Sequence, residues 1–174
     1  MKYREVEIFS GASFQVPEHI QRLDTRHTHG WQLRYGKWTM FSDHSNDGSG
    51  AKKALAAATQ ELLKRVDALH APTQLKRNPT SSKTTSLPVG ISGPISRTRT
   101  GRRAVEYYFG VTIPRFGDKP TNTTVYIGTE NTITHKRQEL ALAKAIDIRK
   151  KAERTYQAAA TKTKRALCRK KEKG

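Results

Sequence analysis

Hydrophobic and polar positions alternate most cleanly over residues 105–113. Val105, Tyr107, Phe109, Val111 and Ile113 fall on one side, and Glu106, Tyr108 and Thr112 on the other. A period of two marks a strand with one buried face. Residues 114–120 hold Gly117, Asp118 and two prolines, which is turn chemistry. A second alternation follows over 121–128, with Thr123, Val125 and Ile127 opposed to Thr124 and Tyr126. Then the period changes. Leu140, Ala141, Ala145, Ile148 and Ala152 recur at helical spacing, and Thr134 stands where an N-cap belongs. This half predicts a small antiparallel sheet with a helix laid on one face. The open face is left rich in Arg, Thr and Tyr.

The first half repeats that order more faintly. Val6 and Ile8 alternate with Glu5 and Glu7, which predicts an edge strand or arm that ends at Pro17. The run 20–28 places Arg22, Asp24 and Arg26 on one face and Leu23 and Thr25 on the other. His29-Gly30 reads as a turn. Trp31, Leu33 and Tyr35 alternate with Gln32 and Arg34, Gly36-Lys37 makes a tight turn, and 38–42 is a further strand. After a loop over 43–50, residues 51–70 give the clearest helix, with Leu55, Ala58, Leu62, Val66 and Leu69 as its apolar stripe.

Residues 71–89 carry Pro72, Pro79 and Pro88 among serines and threonines. So little apolar content cannot offset the entropy of ordering, and a mobile linker is expected. Lys and Arg dominate 161–174, which predicts a disordered basic tail or a frayed helix extension. The expectation is an α+β chain of two small modules, each a three-stranded antiparallel sheet packed on one α-helix. They occupy 1–70 and 90–160, with 71–89 as linker and 161–174 as tail. The halves share pattern rather than residues.

Charge then narrows the function. The 174 residues carry a formal net charge of +18, from 33 Lys+Arg against 15 Asp+Glu. Such an imbalance opposes compaction by self-repulsion and calls for a polyanionic partner, of which nucleic acid is the usual one. A membrane partner is not expected: no long basic amphipathic helix with bulky apolar residues stands out, and no apolar run is long enough to span a bilayer. Met1-Lys2-Tyr3-Arg4-Glu5 lacks the apolar core of a signal peptide. The single cysteine, Cys168, supports neither a disulfide framework nor a zinc site and fits a reducing cytoplasm. A cytoplasmic, nucleoid-associated protein without a cofactor is expected.

Three pieces of the second half resemble the DNA-binding domain of the plant ethylene-response-factor (Apetala) family, which also has phage and bacterial members. Gly90-Ile91-Ser92 resembles the opening of that family's first strand. Tyr126-Ile127-Gly128-Thr129 resembles the close of its third, and the alanine-rich stretch with Ala141, Ala143 and Ala145 resembles its helix. In the first half, Gly36-Lys37-Trp38 is similar to the family's Trp-Gly-Lys-Trp turn, with Tyr35 in place of the first Trp. There are departures. The second half lacks the tryptophans and carries an insertion around Pro94, and the first half shows no obvious third strand unless 20–28 supplies it. The resemblance implies a three-stranded sheet on one helix, with the sheet in the major groove and arginines of its first two strands reading bases.

Arg97, Arg99, Arg102 and Arg103 are the leading candidates, because a guanidinium fork bonds guanine O6 and N7 together. Arg22, Arg26 and Arg34 are the equivalent set in the first half, with Lys37 in the tight turn. Tyr108, on the face opposite the apolar one, is a candidate for packing on sugar or base. Trp31 and Trp38 are expected in the core. Lys162, Lys164, Lys170, Lys171 and Lys173 suit non-specific phosphate attraction. His27, His29 and His44 lack metal-ligand spacing and read as solvated. Tyr126-Ile127-Gly128, with Arg137 and Glu139 downstream, also resembles part of a Gly-Ile-Tyr…Tyr-Ile-Gly nuclease, but no matching Gly-Ile-Tyr lies upstream. The expected function is sequence-specific binding of double-stranded DNA, in a transcriptional regulator or a phage or mobile-element accessory factor, and no enzyme activity is expected. The alternatives are an RNA-binding or ribosome-associated basic protein, and the nuclease.

Overall fold

A computed structural model describes residues 1–98, 100–101 and 104–169. The chain divides into two compact units. One is Met1–Pro72 together with Thr161–Gly174, and the other is Thr73–Ala160. The described residues form eight strands and two helices, an α+β fold with antiparallel sheets.

In the first unit, β1 (Tyr3–Glu7) and β2 (Ser13–Pro17) form a hairpin. β3 (Ile20–Asp24), β4 (His29–Leu33) and β5 (Thr39–Ser42) form a sheet in sequence order. Helix α1 (Ala51–Ala68) follows. Ile20 stands opposite Leu33, and Arg22 opposite Trp31, which is opposite Phe41. Residues directly opposed share a face, so these side chains all lie on the side that α1 covers. Small residues of α1, Ala51, Ala54 and Ala58, are buried with Leu62 and Val66 against Val16, Ile20, Trp31, Leu33 and Tyr35. The Trp31 indole N–H donates to the Ala51 carbonyl at 2.8 Å, so the largest core side chain leaves no polar atom unsatisfied. Arg65 of α1 donates to the carbonyls of Tyr35 and Lys37 and to Thr39 Oγ1, fastening the turn between β4 and β5.

Two sequence expectations are corrected here. His29 and Gly30 begin β4, and the turn is 25–28, closed by Thr25 and Thr28. Trp31 is fully buried, but Trp38 is 64% exposed, because it sits in the β4–β5 turn and outside the strand face that α1 covers.

In the second unit, β6 (Ile91–Thr98), β7 (Val105–Ile113) and β8 (Thr121–Thr129) again form a sheet in sequence order, and α2 (His135–Arg169) follows. Ile91, Phe109, Val111, Val125 and Ile127 are buried with Ala141 and Ala145 of α2. The insertion read at Pro94 is a register shift between Ser92 and Ile95, with a cis Gly93–Pro94 bond. Thr134 caps α2 as expected, its Oγ1 accepting from the Arg137 N–H at 3.3 Å. Arg149 is buried, holds Glu153 at 2.6 Å, and donates to the Thr112 carbonyl at the end of β7. Each helix thus sends an arginine, about four turns in, onto backbone carbonyls near the end of its middle strand.

The expectation of one helix per module is not met, because α2 serves both units. Its residues from Thr161 onward belong to the first unit. They are helical to Arg169, so of the two expectations for this segment the helix extension is the one met, not the disordered tail. Thr161 and Cys168 are buried, Thr161 Oγ1 accepts from the Ala71 N–H at 3.1 Å, and Arg165 Nε donates to the Val66 carbonyl at 3.2 Å. The amino terminus donates to the Leu167 carbonyl at 3.0 Å. Lys164 reaches Glu18 at 2.5 Å and His19 Nε2 at 3.1 Å. These contacts turn a charge-rich segment into part of a core.

Candidate nucleic-acid interface

The face of β6–β7–β8 turned away from α2 is built in rows set by the register. Ser92 stands opposite Gly110, which is opposite Thr124. Ile95 stands opposite Tyr108, which is opposite Tyr126. Arg97 stands opposite Glu106. The strands reach this arrangement because Phe109, Val111, Val125 and Ile127 are taken by α2, which forces their neighbours outward. At the first row Gly110 makes room for side chains of β6. A Cβ on Gly110 would stand 2.8 Å from Ser92 Oγ and 3.3 Å from Ile95 Cδ1.

The second row is apolar and open. Ile95 is 44% exposed and Tyr126 50% exposed, and the rings of Tyr108 and Tyr126 lie 5.4 Å apart. The Tyr108 hydroxyl donates to the buried Glu106 carboxylate, which orients the ring. Arg97, at the next row, is exposed. The structure therefore brings Arg97 and Tyr108 onto one open face. Arg99, Arg102 and Arg103 lie outside the described residues, as do Lys170, Lys171 and Lys173.

The first unit has a comparable open face. Gln21 stands opposite Gln32, which is opposite Met40, and Arg34 Nε donates to Gln32 Oε1 at 2.5 Å. Arg34, Arg26 and Lys37 are all exposed, Arg26 in the β3–β4 turn and Lys37 in the β4–β5 turn.

Arg22 is corrected. It projects to the α1 side, where its side chain is only 6% exposed. It is held by Asp43, whose side chain is fully buried, at 2.6 Å and by Asp24 at 2.7 Å, and it lies 4.9 Å over the Trp31 ring. Burial works against its charge, but the hydrogen bonds to Asp24 and Asp43 outweigh that and raise its pKa. At Asp24 burial is outweighed by the hydrogen bonds from Arg22 and His29, which hold that carboxyl below its ordinary value. Arg22 is an internal strut and is not presented to a ligand. Lys164 is likewise engaged by Glu18, while Lys162 is exposed.

The remaining candidates do not converge. His29 Nδ1 pairs with Asp24 at 2.9 Å, and His27 and His44 are exposed. Tyr126 points away from α2, whereas Arg137 and Glu139 are on α2, and Arg137 donates to the Thr132 carbonyl at 3.0 Å. Sequence reasoning did not single out Ile95, Gln21 or Gln32. The signal for Ile95 was hidden by the register shift at Pro94, which moves it to the face opposite Ile91. No helix among the described residues is long and apolar enough to cross a membrane. No family model, curated protein or solved structure matches this chain.

Proposed function

We propose that this chain binds double-stranded DNA sequence-specifically, laying the open face of β6–β7–β8 in the major groove, as a transcriptional regulator or a phage or mobile-element accessory factor. The observation that carries the reading is the row structure of that face. An exposed guanidinium, an apolar row and a row of small polar side chains stand uncovered on a sheet of three strands, in a chain of net charge +18. A major groove about 12 Å wide admits a narrow β-element, and arginine pairs bidentately with guanine there. The Apetala-type resemblance of residues 90–160 supports the same placement. Each β-β-β-α run is read as one reading module, with Arg34 and Lys37 contacting DNA from the first.

The test is selection from a random pool holding duplex DNA and RNA, using the full chain. A single DNA site should emerge, bound on the order of a thousandfold more tightly than random duplex. Equal affinity for all duplexes, or enrichment of RNA alone, would remove this reading.

A further inference from the structure

On the basis of that duplex-DNA reading, we propose that the apolar row Ile95, Tyr108 and Tyr126 packs on thymine 5-methyl groups. These thymines lie about two base pairs from the guanine that Arg97 contacts. The row is a defined object. Its three members stand opposite one another on neighbouring strands, two of them about half exposed, with polar or charged rows on either side. Among the described residues, the buried core of the second unit is built from the opposite face and includes neither Ile95 nor Tyr126. An apolar strip left open between hydrogen-bonding rows matches the one apolar feature of the major-groove floor, the thymine methyl.

Spacing fixes the register. Same-face residues such as Ile95 and Arg97 are two positions apart along β6, or about 6.8 Å at ~3.4 Å per residue. DNA rises about 3.4 Å per base pair along each strand. With the strands running along the groove, one sheet row advances about two base pairs. Gly110 contributes by leaving room for Ile95 Cδ1 and Ser92 Oγ, which a Cβ there would crowd at 3.3 and 2.8 Å. The hydrogen bond from Tyr108 to Glu106 holds its hydroxyl end in place.

The experiment starts from the duplex selected by the full chain. Each thymine is replaced singly by deoxyuridine, which lacks only the methyl group, and affinity is measured for the native chain, Tyr126→Ala, Tyr126→Phe and Ile95→Ala. The expected result is a loss of about fourfold at one or two thymines, the worth of a buried methyl group. That loss should disappear in Tyr126→Ala or Ile95→Ala and persist in Tyr126→Phe. Tyr126 and Ile95 are exposed enough that both variants should fold, which circular dichroism checks. If deoxyuridine changes nothing while the duplex is still bound specifically, the thymine proposal falls and duplex reading stands. A selected site without thymine also overturns it. If no duplex is selected, the reading beneath it falls too. Tighter binding of single strands that is lost in Tyr126→Ala would assign the row to stacking on unpaired bases instead.

Discussion

Arg22 shows how one side chain reverses role when its partners are known. Alternation over 20–28 places Arg22 with Asp24, but it cannot tell which face a helix will cover. Ile20 shares that face and is fully buried, while Leu23 on the other side is exposed. The polar residues are tolerated beneath α1 because Asp43, far along the chain, is buried beside Arg22 as its counter-charge. Arg22→Met would leave Asp43 buried and unpaired, so a loss of about 3–5 kcal/mol is expected in chemical denaturation. Arg22→Met with Asp43→Leu should recover much of it, and a double variant no better than the single would refute the pairing argument.

His19 carries a pH dependence. Its φ is +73°, its ring lies edge-on to Tyr35 at 5.1 Å, and Nε2 accepts from Lys164 while Glu18 holds the same ammonium. Burial and then the Lys164 charge lower its pKa. Neutral His19 is thus favoured in the fold, and stability is present above the unfolded value of about 6.5 and lost as pH falls through the lower folded value. At Glu18 burial opposes the charge, but Lys164 outweighs it and lowers the pKa, so its contribution fades only in the more acidic carboxylate range. Melting temperature should fall between pH 7.5 and 5.5, and less so in His19→Asn, a residue that tolerates positive φ. Equal falls in both proteins would clear His19.

At the level of elements, the second unit was the more legible. Strands β7 and β8 have one face on α2 and one open, so apolar and polar residues alternate visibly in 105–113 and 121–128. The helical clasps were not legible, since an arginine bonding backbone carbonyls leaves no periodic mark. Gly90 shows what the clasp requires. It has φ +77°, and a Cβ there would stand 2.6 Å from Arg149 Nη1. Gly90→Ala should cost at least about 1–2 kcal/mol from the backbone alone, with Gly90→Asn milder on the φ term but still crowding Arg149. Thermal melts showing no change for Gly90→Ala would contradict this packing. The end of α2 was hidden for another reason. Its buried positions, Thr161 and Cys168, are small and lie among lysines and arginines, two of which, Lys164 and Arg165, turn their charges onto the first unit. A chain ending at Ala160 should therefore lose structure in the first unit and keep it in the second. Both tryptophans, Trp31 and Trp38, are in the first unit, so their fluorescence reports on it alone. An unchanged emission spectrum after truncation would count against the α2 contacts.

For the whole molecule, the net charge of +18 sets the dependence on salt. Each phosphate contact adds a slope of about −0.9 to the fall of log K with log salt. On the proposed role of Arg97 as a base contact, Arg97→Ala should cost about 1–3 kcal/mol on the selected site and relax preference at one position, while the salt slope stays as it was. A slope reduced by about one, with uniform weakening on all sequences, would make Arg97 a phosphate contact.

The placement of Thr161 and the residues after it in the first unit also orders events on the ribosome. Strands β1 to β5 are made before the second unit, but the helical turns that seal them are made only after it. The unit encoded in the middle is complete before the one begun earlier. A nascent chain that has emerged only as far as Ala160 would carry a finished β6–β7–β8 unit and an unfinished partner, and would be open to proteases in the unit begun earlier rather than in the one begun later.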